Sequence, residues 1–151
     1  MREVMIDGRS VYGLSTRTTI AQEMDPSQAK IGALWQKFDQ TVPVDYQNGE
    51  RVYGVYSDYE SDATGEFNTI AAYDGKRLSL LEEVVLPSGK YLLFEAEASG
   101  VDDEARTKTI LQLWGQVWSY FAQKPNHTRA FKTDFDFYKG LMHIEVYVSI
   151  L

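Results

Sequence analysis

Close to its C-terminus the chain places carboxylates, tyrosines and a histidine at alternating positions of two short runs, Phe131 to Tyr138 and Met142 to Ile150. A period of two marks a half-buried strand. Between the runs, Tyr138-Lys139-Gly140-Leu141 reads as a two-residue hairpin turn in which Gly140 supplies a positive φ. In that register Phe137 opposes Met142, Phe135 opposes Ile144, Thr133 opposes Val146 and Phe131 opposes Val148, giving one apolar face. The reverse face pairs Tyr138 with Leu141, Asp136 with His143, Asp134 with Glu145, and Lys132 with Tyr147. The segment after Gly89 divides in the same way, with Leu92, Phe94, Ala96 and Ala98 on one side and Tyr91, Leu93, Glu95 and Glu97 on the other.

Carboxylates directly opposed across a ladder repel unless something offsets them. Two readings of this tyrosine-and-carboxylate face stand open. In one it is a solvated sheet surface, which a chain with 22 acidic residues against 15 basic ones, net charge −7, furnishes by default. In the other, the polar faces of two sheet regions turn toward a shared cleft and enclose an aromatic cavity with carboxylates in it. A carboxylate taken out of water resists ionisation and regains its charge when an opposite charge comes within about 4–6 Å. Aromatic faces add about 0.5–2 kcal/mol of cation–π attraction each. Such a cleft selects bulky, lipophilic organic cations. His143 reads as half of an ion pair with Asp136, because the sequence offers no nucleophile for it to activate.

The elements that must hold these residues are repeated. Arg2-Glu3-Val4-Met5-Ile6-Asp7-Gly8-Arg9-Ser10-Val11-Tyr12 has a partner in Glu82-Glu83-Val84-Val85-Leu86-Pro87-Ser88-Gly89-Lys90-Tyr91. A Leu-Trp pair follows each, Leu34-Trp35 and Leu113-Trp114, again offset by about 80 positions. Each unit runs extended segment, helix, strand, strand. The first helix carries Ile31, Leu34, Trp35 and Phe38 at helical spacing, with Asp25-Pro26-Ser27 as its start signal. The second carries Ile110, Trp114, Val117, Trp118 and Phe121 after Asp102-Asp103-Glu104, and Pro125 follows its end. Trp35 and Trp114 lie on these apolar stripes, so core and ligand-facing roles both suit them. Val52 to Tyr59 and Phe67 to Tyr73 complete the strands of the first unit, with Tyr56 on the Gly54 side. The order predicts an α+β fold: antiparallel sheet, helices on one face, and a ligand cleft between two repeats, about 1–78 and 79–151, of a single domain.

Composition excludes several classes. With no cysteine there is no disulfide framework or thiolate metal site, and two histidines, His127 and His143, make a dedicated metal centre improbable. No cofactor is expected. The acidic balance argues against autonomous nucleic-acid binding. No apolar run approaches the ~18 residues of a membrane span, and Met1-Arg2-Glu3-Val4-Met5-Ile6-Asp7 is too polar for a signal peptide, so the expected location is cytoplasmic.

The duplicated order, the Val52-Tyr53-Gly54-Val55-Tyr56 strand, the Leu86-Pro87-Ser88-Gly89-Lys90-Tyr91-Leu92-Leu93-Phe94 segment and the Phe135-Asp136-Phe137-Tyr138 to Glu145-Val146-Tyr147-Val148 ending together resemble the GyrI-like effector-binding domain. That ligand module is attached to many AraC-type and MerR-type transcription regulators, including multidrug sensors. The fit over nearly the whole chain is similar to the free-standing cationic-drug-binding modules of integron cassettes. The resemblance implies an aromatic cavity between the repeats in which an acidic residue selects organic cations. The family's phenylalanine-glutamate-x-tyrosine pattern falls on Phe135-Asp136-Phe137-Tyr138, and its terminal-strand tyrosine on Tyr147. Asp136 stands where the family has glutamate, one methylene longer, and Val148-Ser149-Ile150 stands where a proline is usual. Glu145 is therefore the preferred carboxylate and Asp136 the second, with Tyr147, Tyr91, Tyr56 and Trp114 supplying the stacking.

The resulting expectation is a non-enzymatic binding module for amphipathic organic cations, with a separate transcription regulator as a further partner. Family regulators carry their helix-turn-helix unit outside the effector domain, and a repeat filling 151 residues leaves no room for one, so no direct nucleic-acid contact is expected. The alternatives are a hydrolase of small electrophiles on the same fold, with a raised-pKa carboxylate as base, and a gyrase inhibitor or regulator partner.

Overall fold

Alternation along the strands serves two apolar faces rather than one. The structure, a computed structural model, describes residues 1–151. In chain order its elements are β1 (Arg2–Ile6), β2 (Arg9–Thr18), α1 (Ile20–Glu23), α2 (Ile31–Thr41), β3 (Val52–Ser57), β4 (Phe67–Tyr73), β5 (Glu82–Leu86), β6 (Gly89–Glu97), α3 (Asp103–Ala122), β7 (Asp134–Tyr138) and β8 (His143–Ser149). The strands form one curled antiparallel sheet in the order β1-β6-β8-β7-β3-β4-β2-β5. With its helices this is the α+β architecture that the pattern predicts.

The sheet order is symmetric. Exchanging β1 with β5, β2 with β6, β3 with β7 and β4 with β8 reads the same order backwards. The segments around Gly8 and Gly89 are accordingly not hairpins. β1 lies against β6 and β5 against β2, so the leading strand of each half completes the other half. At the centre β3 meets β7, with Gly54 opposite Asp136.

Both long helices lie on one face. Leu34 and Phe38 of α2 pack on Val52, Ala71 and Tyr73. Leu113 and Val117 of α3 pack on Leu92, Phe94, Ile144, Val146 and Val148. The apolar stripe of each helix is therefore split, and Trp35 and Trp114 are left toward the space between the helices. The two start signals fare differently. Asp102 caps α3, its carboxylate accepting from the Ala105 amide at 2.8 Å. Asp25 instead closes its own turn by accepting from the Ser27 amide, and α2 starts later, at Ile31, where the Glu23 carboxylate accepts from the Lys30 and Ile31 amides. That cap comes from seven and eight residues upstream, beyond the reach of a local motif.

The opposite face of the sheet closes over a second core of Val11, Tyr53, Val55, Ile70, Leu86, Tyr91 and Phe135. Phe135 stacks on Tyr147 at 4.6 Å and Tyr53 on Phe137 at 4.8 Å.

This second core corrects the expected C-terminal register. Phe135 opposes Tyr147, Asp136 opposes Val146, and Tyr138 opposes Ile144, an odd-numbered slip from the two-residue turn. The turn is longer, with the Lys139 and Gly140 amides both donating to the His143 carbonyl. β8 keeps the face its own pattern dictates, Ile144, Val146 and Val148 toward the helices, and β7 is turned over. Asp134, Asp136 and Tyr138 point to the helix side, while Phe135 and Phe137 enter the second core. An odd slip exchanges every side chain of a strand. Phe131, expected as the start of β7, adopts a left-handed φ of 51° and ends the extended run, so the strand begins at Asp134. No helix is long and apolar enough to cross a membrane.

Candidate functional site

The turned-over β7 puts three consecutive same-face residues, Asp134, Asp136 and Tyr138, along the floor between α2 and α3. Above the last two lies a cavity of about 650 Å³, walled by α2, α3 and the segment from Tyr56 to Phe67.

Asp136 sits at its centre, 1 % exposed. The Tyr56 hydroxyl donates to its Oδ2 at 2.6 Å, and the Trp114 indole N–H donates to its Oδ1 at 2.9 Å. Burial pushes the carboxyl up to about 7, because desolvation outweighs the two donors that favour the anion. The Tyr56 phenol is likewise driven well above its ordinary value of 10, first by burial and then by the Asp136 charge. Tyr56 and Trp114 meet edge to face at 5.3 Å, so the carboxylate is held by two aromatic walls rather than by a cation.

One end of the floor is neutralised internally. Asp134, fully buried, accepts from Arg129 Nη2 at 2.7 Å, from the Tyr59 hydroxyl at 2.6 Å, and from the amide and hydroxyl of Ser149. Arg129 spreads over the Phe131 ring at 4.3 Å and also lies above Tyr59 and Trp114. At the other end, burial and the Asp136 charge raise the Tyr138 phenol, whose ring carries the Arg106 guanidinium at 5.1 Å. Trp35 stands edge-on to Tyr138, ring centroids 6.1 Å apart, and both line the cavity. At the mouth, Met24 and Leu111 are exposed and Trp118 partly so, an apolar rim.

Of the residues expected at the site, the structure brings together Asp136, Tyr56 and Trp114. It places Glu145, Tyr147 and Tyr91 on the opposite face. Tyr147 and Tyr91 belong to the second core, where Tyr91 donates to the Pro87 carbonyl and Tyr147 to Glu145. Burial pushes the Tyr91 phenol up to about 12. The cavity therefore lies on the helix-bearing face, not on the non-helical face expected from the slipped register.

The pairing of His143 with Asp136 is also corrected. His143 Nδ1 bonds Glu97 at 2.7 Å, and its Nε2 reaches Glu145 at 3.3 Å and Glu95 at 3.5 Å. Burial works against the imidazolium, but the hydrogen bonds and charges of Glu97 and Glu145 prevail and hold it above its ordinary value. This cation is the offset demanded by Glu95 and Glu145, which oppose each other directly across β6 and β8. Glu95, His143 and Glu145 are also the grouping whose side chains converge closely enough, within 4.8 Å, for a metal ion.

Sequence reasoning missed Arg106, Arg129, Tyr59 and Gly54. Arg106 carried a readable signal: Arg106, Ile110, Trp114 and Trp118 recur every four residues and share one side of α3. Tyr59 did not, since Asp58 turns the chain at a φ of 51° and breaks the strand alternation before it.

No curated protein matches the chain. Among solved structures, the integron cassette protein VCH_CASS2 from the mobile metagenome of Vibrio cholerae is 37% identical, with a TM-score of 0.85 over 99% of this chain and 95% of that one. SAV2435, solved bound to tetraphenylphosphonium, shares the fold at 18% identity and a TM-score of 0.65, covering 99% of this chain and 93% of that one. A putative transcription regulation protein from Staphylococcus aureus MU50 shares it at 16% identity and a TM-score of 0.64, over 99% and 96%. The model of the integron-associated effector binding proteins, Cass2, matches residues 4–150, and the chain belongs to that family of small-molecule effector-binding modules.

Proposed function

We propose that the protein is a receptor for amphipathic organic cations, held in the cavity between α2 and α3 with Asp136 as counter-charge and Trp114, Tyr56, Tyr59 and Trp35 as aromatic walls. The observation that carries this reading is Asp136 itself, a buried carboxylate on a cavity floor with no cation bonded to it. Burying such a group costs stability unless something compensates, and an organic cation seated above it does so. Tetraphenylphosphonium in the structurally similar SAV2435 is a ligand of that chemistry. Glu145, already bonded to Tyr147 and His143 on the far face, takes no part. With no transmembrane helix and a cavity suited to membrane-permeant cations, the setting we assign is the cytoplasm.

The test is a titration of tetramethylrhodamine methyl ester, a lipophilic cation, followed by anisotropy at low and high salt. Saturable binding that survives high salt is expected, because a desolvated pair is poorly screened. Asp136→Asn should weaken it by about 10- to 100-fold, the scale of a lost charged interaction, and Glu145→Gln should leave it unchanged. Binding that vanishes with salt, or that depends on Glu145 instead, overturns the assignment.

A further inference from the structure

Among the charged groups that line the cavity is one that a simple cation does not use. Arg106 projects from α3 into the lining, its guanidinium over Tyr138. No carboxylate comes within ion-pair distance of it, and none of its side-chain donors finds an acceptor; Nε is buried without a partner. Asp39, which also lines the cavity, lies near enough to feel its charge but does not bond it. The contrast with Arg129 is direct, because that arginine lines the same cavity and is paired with Asp134 at 2.7 Å.

An unpaired guanidinium in a partly desolvated cavity is costly, and its planar fork matches a carboxylate bidentately. Its place relative to Asp136 is marked by Tyr138, over whose ring it lies. Tyr138, under the guanidinium, and Asp136 are adjacent same-face residues of β7, hence separated by roughly 7 Å. The floor thus presents a carboxylate and, one pleat further, a free cation.

We propose that Arg106 is a carboxylate subsite, and that the cognate ligand is amphoteric: an aromatic organic cation bearing a carboxylate on the order of 7–10 Å from its positive centre. The inference rests on the reading of the cavity as an organic-cation site and adds the second pole. It sets this chain's ligand apart from a symmetric cation such as tetraphenylphosphonium, which leaves Arg106 unbonded.

Tetramethylrhodamine and its methyl ester share one cationic ring system and differ in whether the carboxyl group is free. Both are titrated against the wild-type protein, Arg106→Met and Arg106→Lys. The wild type is expected to bind both dyes. Arg106→Met should weaken the free acid about tenfold while changing the ester less than twofold, and Arg106→Lys should fall between, since it keeps the charge and loses the fork. The ester titration also reports that the variant cavity is intact. Equal weakening of both dyes, or no change in either, overturns the carboxylate subsite and leaves the cation site standing. So does a wild type that binds the ester and rejects the acid. A wild type that binds neither dye overturns both.

Discussion

Gly54 of β3 and Asp136 of β7 face each other across the centre of the sheet, and the carboxylate of one occupies the room left by the missing side chain of the other. A Cβ on Gly54 would lie 2.9 Å from Asp136 Oδ2 and 3.5 Å from the Tyr56 hydroxyl. Asp136 cannot yield freely, because Tyr56 and Trp114 hold both of its oxygens. Gly54→Ala should therefore cost about 1–2 kcal/mol of stability in urea unfolding, as overpacking does, and should weaken cationic-dye binding at least ~tenfold. Binding that stays at the wild-type level would show that the carboxylate's position is not what the cavity depends on.

The raised Asp136 carboxyl couples folding and binding to pH with opposite signs. Its value moves from 3.8 to about 7, so between these limits the folded protein holds a proton that the unfolded chain has lost. Stability then falls as pH rises across that interval, by up to about 4 kcal/mol, and levels off above it. Asp136→Asn cannot ionise and should melt higher than the wild type at pH 8, with little of the decline between pH 4 and 7. Affinity for a permanent cation runs the other way, because the ligand needs the anion. The dissociation constant should improve by up to about tenfold per pH unit below 7 and then flatten. Thermal melts and dye titrations at four or five pH values check both slopes.

How much of this the sequence discloses depends on whether each signal was local. β4, α3 and the inward face of β8 follow from alternation, from helical spacing and from the Asp102 cap, all contained within a few residues. β7 alternates just as cleanly, Asp-Phe-Asp-Phe-Tyr, yet it is turned over relative to the face that its pattern predicts. A sheet with apolar cores on both faces gives Phe135 and Phe137 two burial sites to choose from, and the turn at Lys139–Met142 decides between them. The cavity residues divide on the same ground. Tyr56 and Trp114 are visible from their own elements, whereas the preference for Glu145 over Asp136 rests on the family's longer glutamate at position 136, and Glu145 lies on the face opposite the cavity.

On the far face, His143 offsets the opposed Glu95 and Glu145 only while it is protonated. Its folded-state value is raised above 6.5, so the contribution is fully present below that pH and is lost as pH rises through the raised value. His143→Gln should lower the melting temperature by a few degrees at pH 5.5 and have little effect at pH 9. The same loss at both pH values would assign His143 a packing role and leave the carboxylate pair offset by Arg2 alone, which bonds Glu95 at 2.9 Å.

The Arg129–Asp134 pair is the part of the cavity floor whose removal should damage the fold itself. Asp134 is fully buried and uses both oxygens, so without Arg129 a desolvated anion is left with neutral donors only. Removing one partner of such a pair costs about 3–5 kcal/mol, most of it the penalty on the partner left behind. Arg129→Met should therefore destabilise strongly. Asp134→Asn should cost less, because the amide oxygen can still accept from Ser149 and the amide NH2 can donate to the Tyr59 hydroxyl, while Arg129 retains the ring of Phe131. The double variant should be more stable than Arg129→Met alone, since the unpaired charge is gone. A double-mutant cycle in urea measures the coupling. If the two losses simply add, the ion pair contributes nothing beyond its separate contacts.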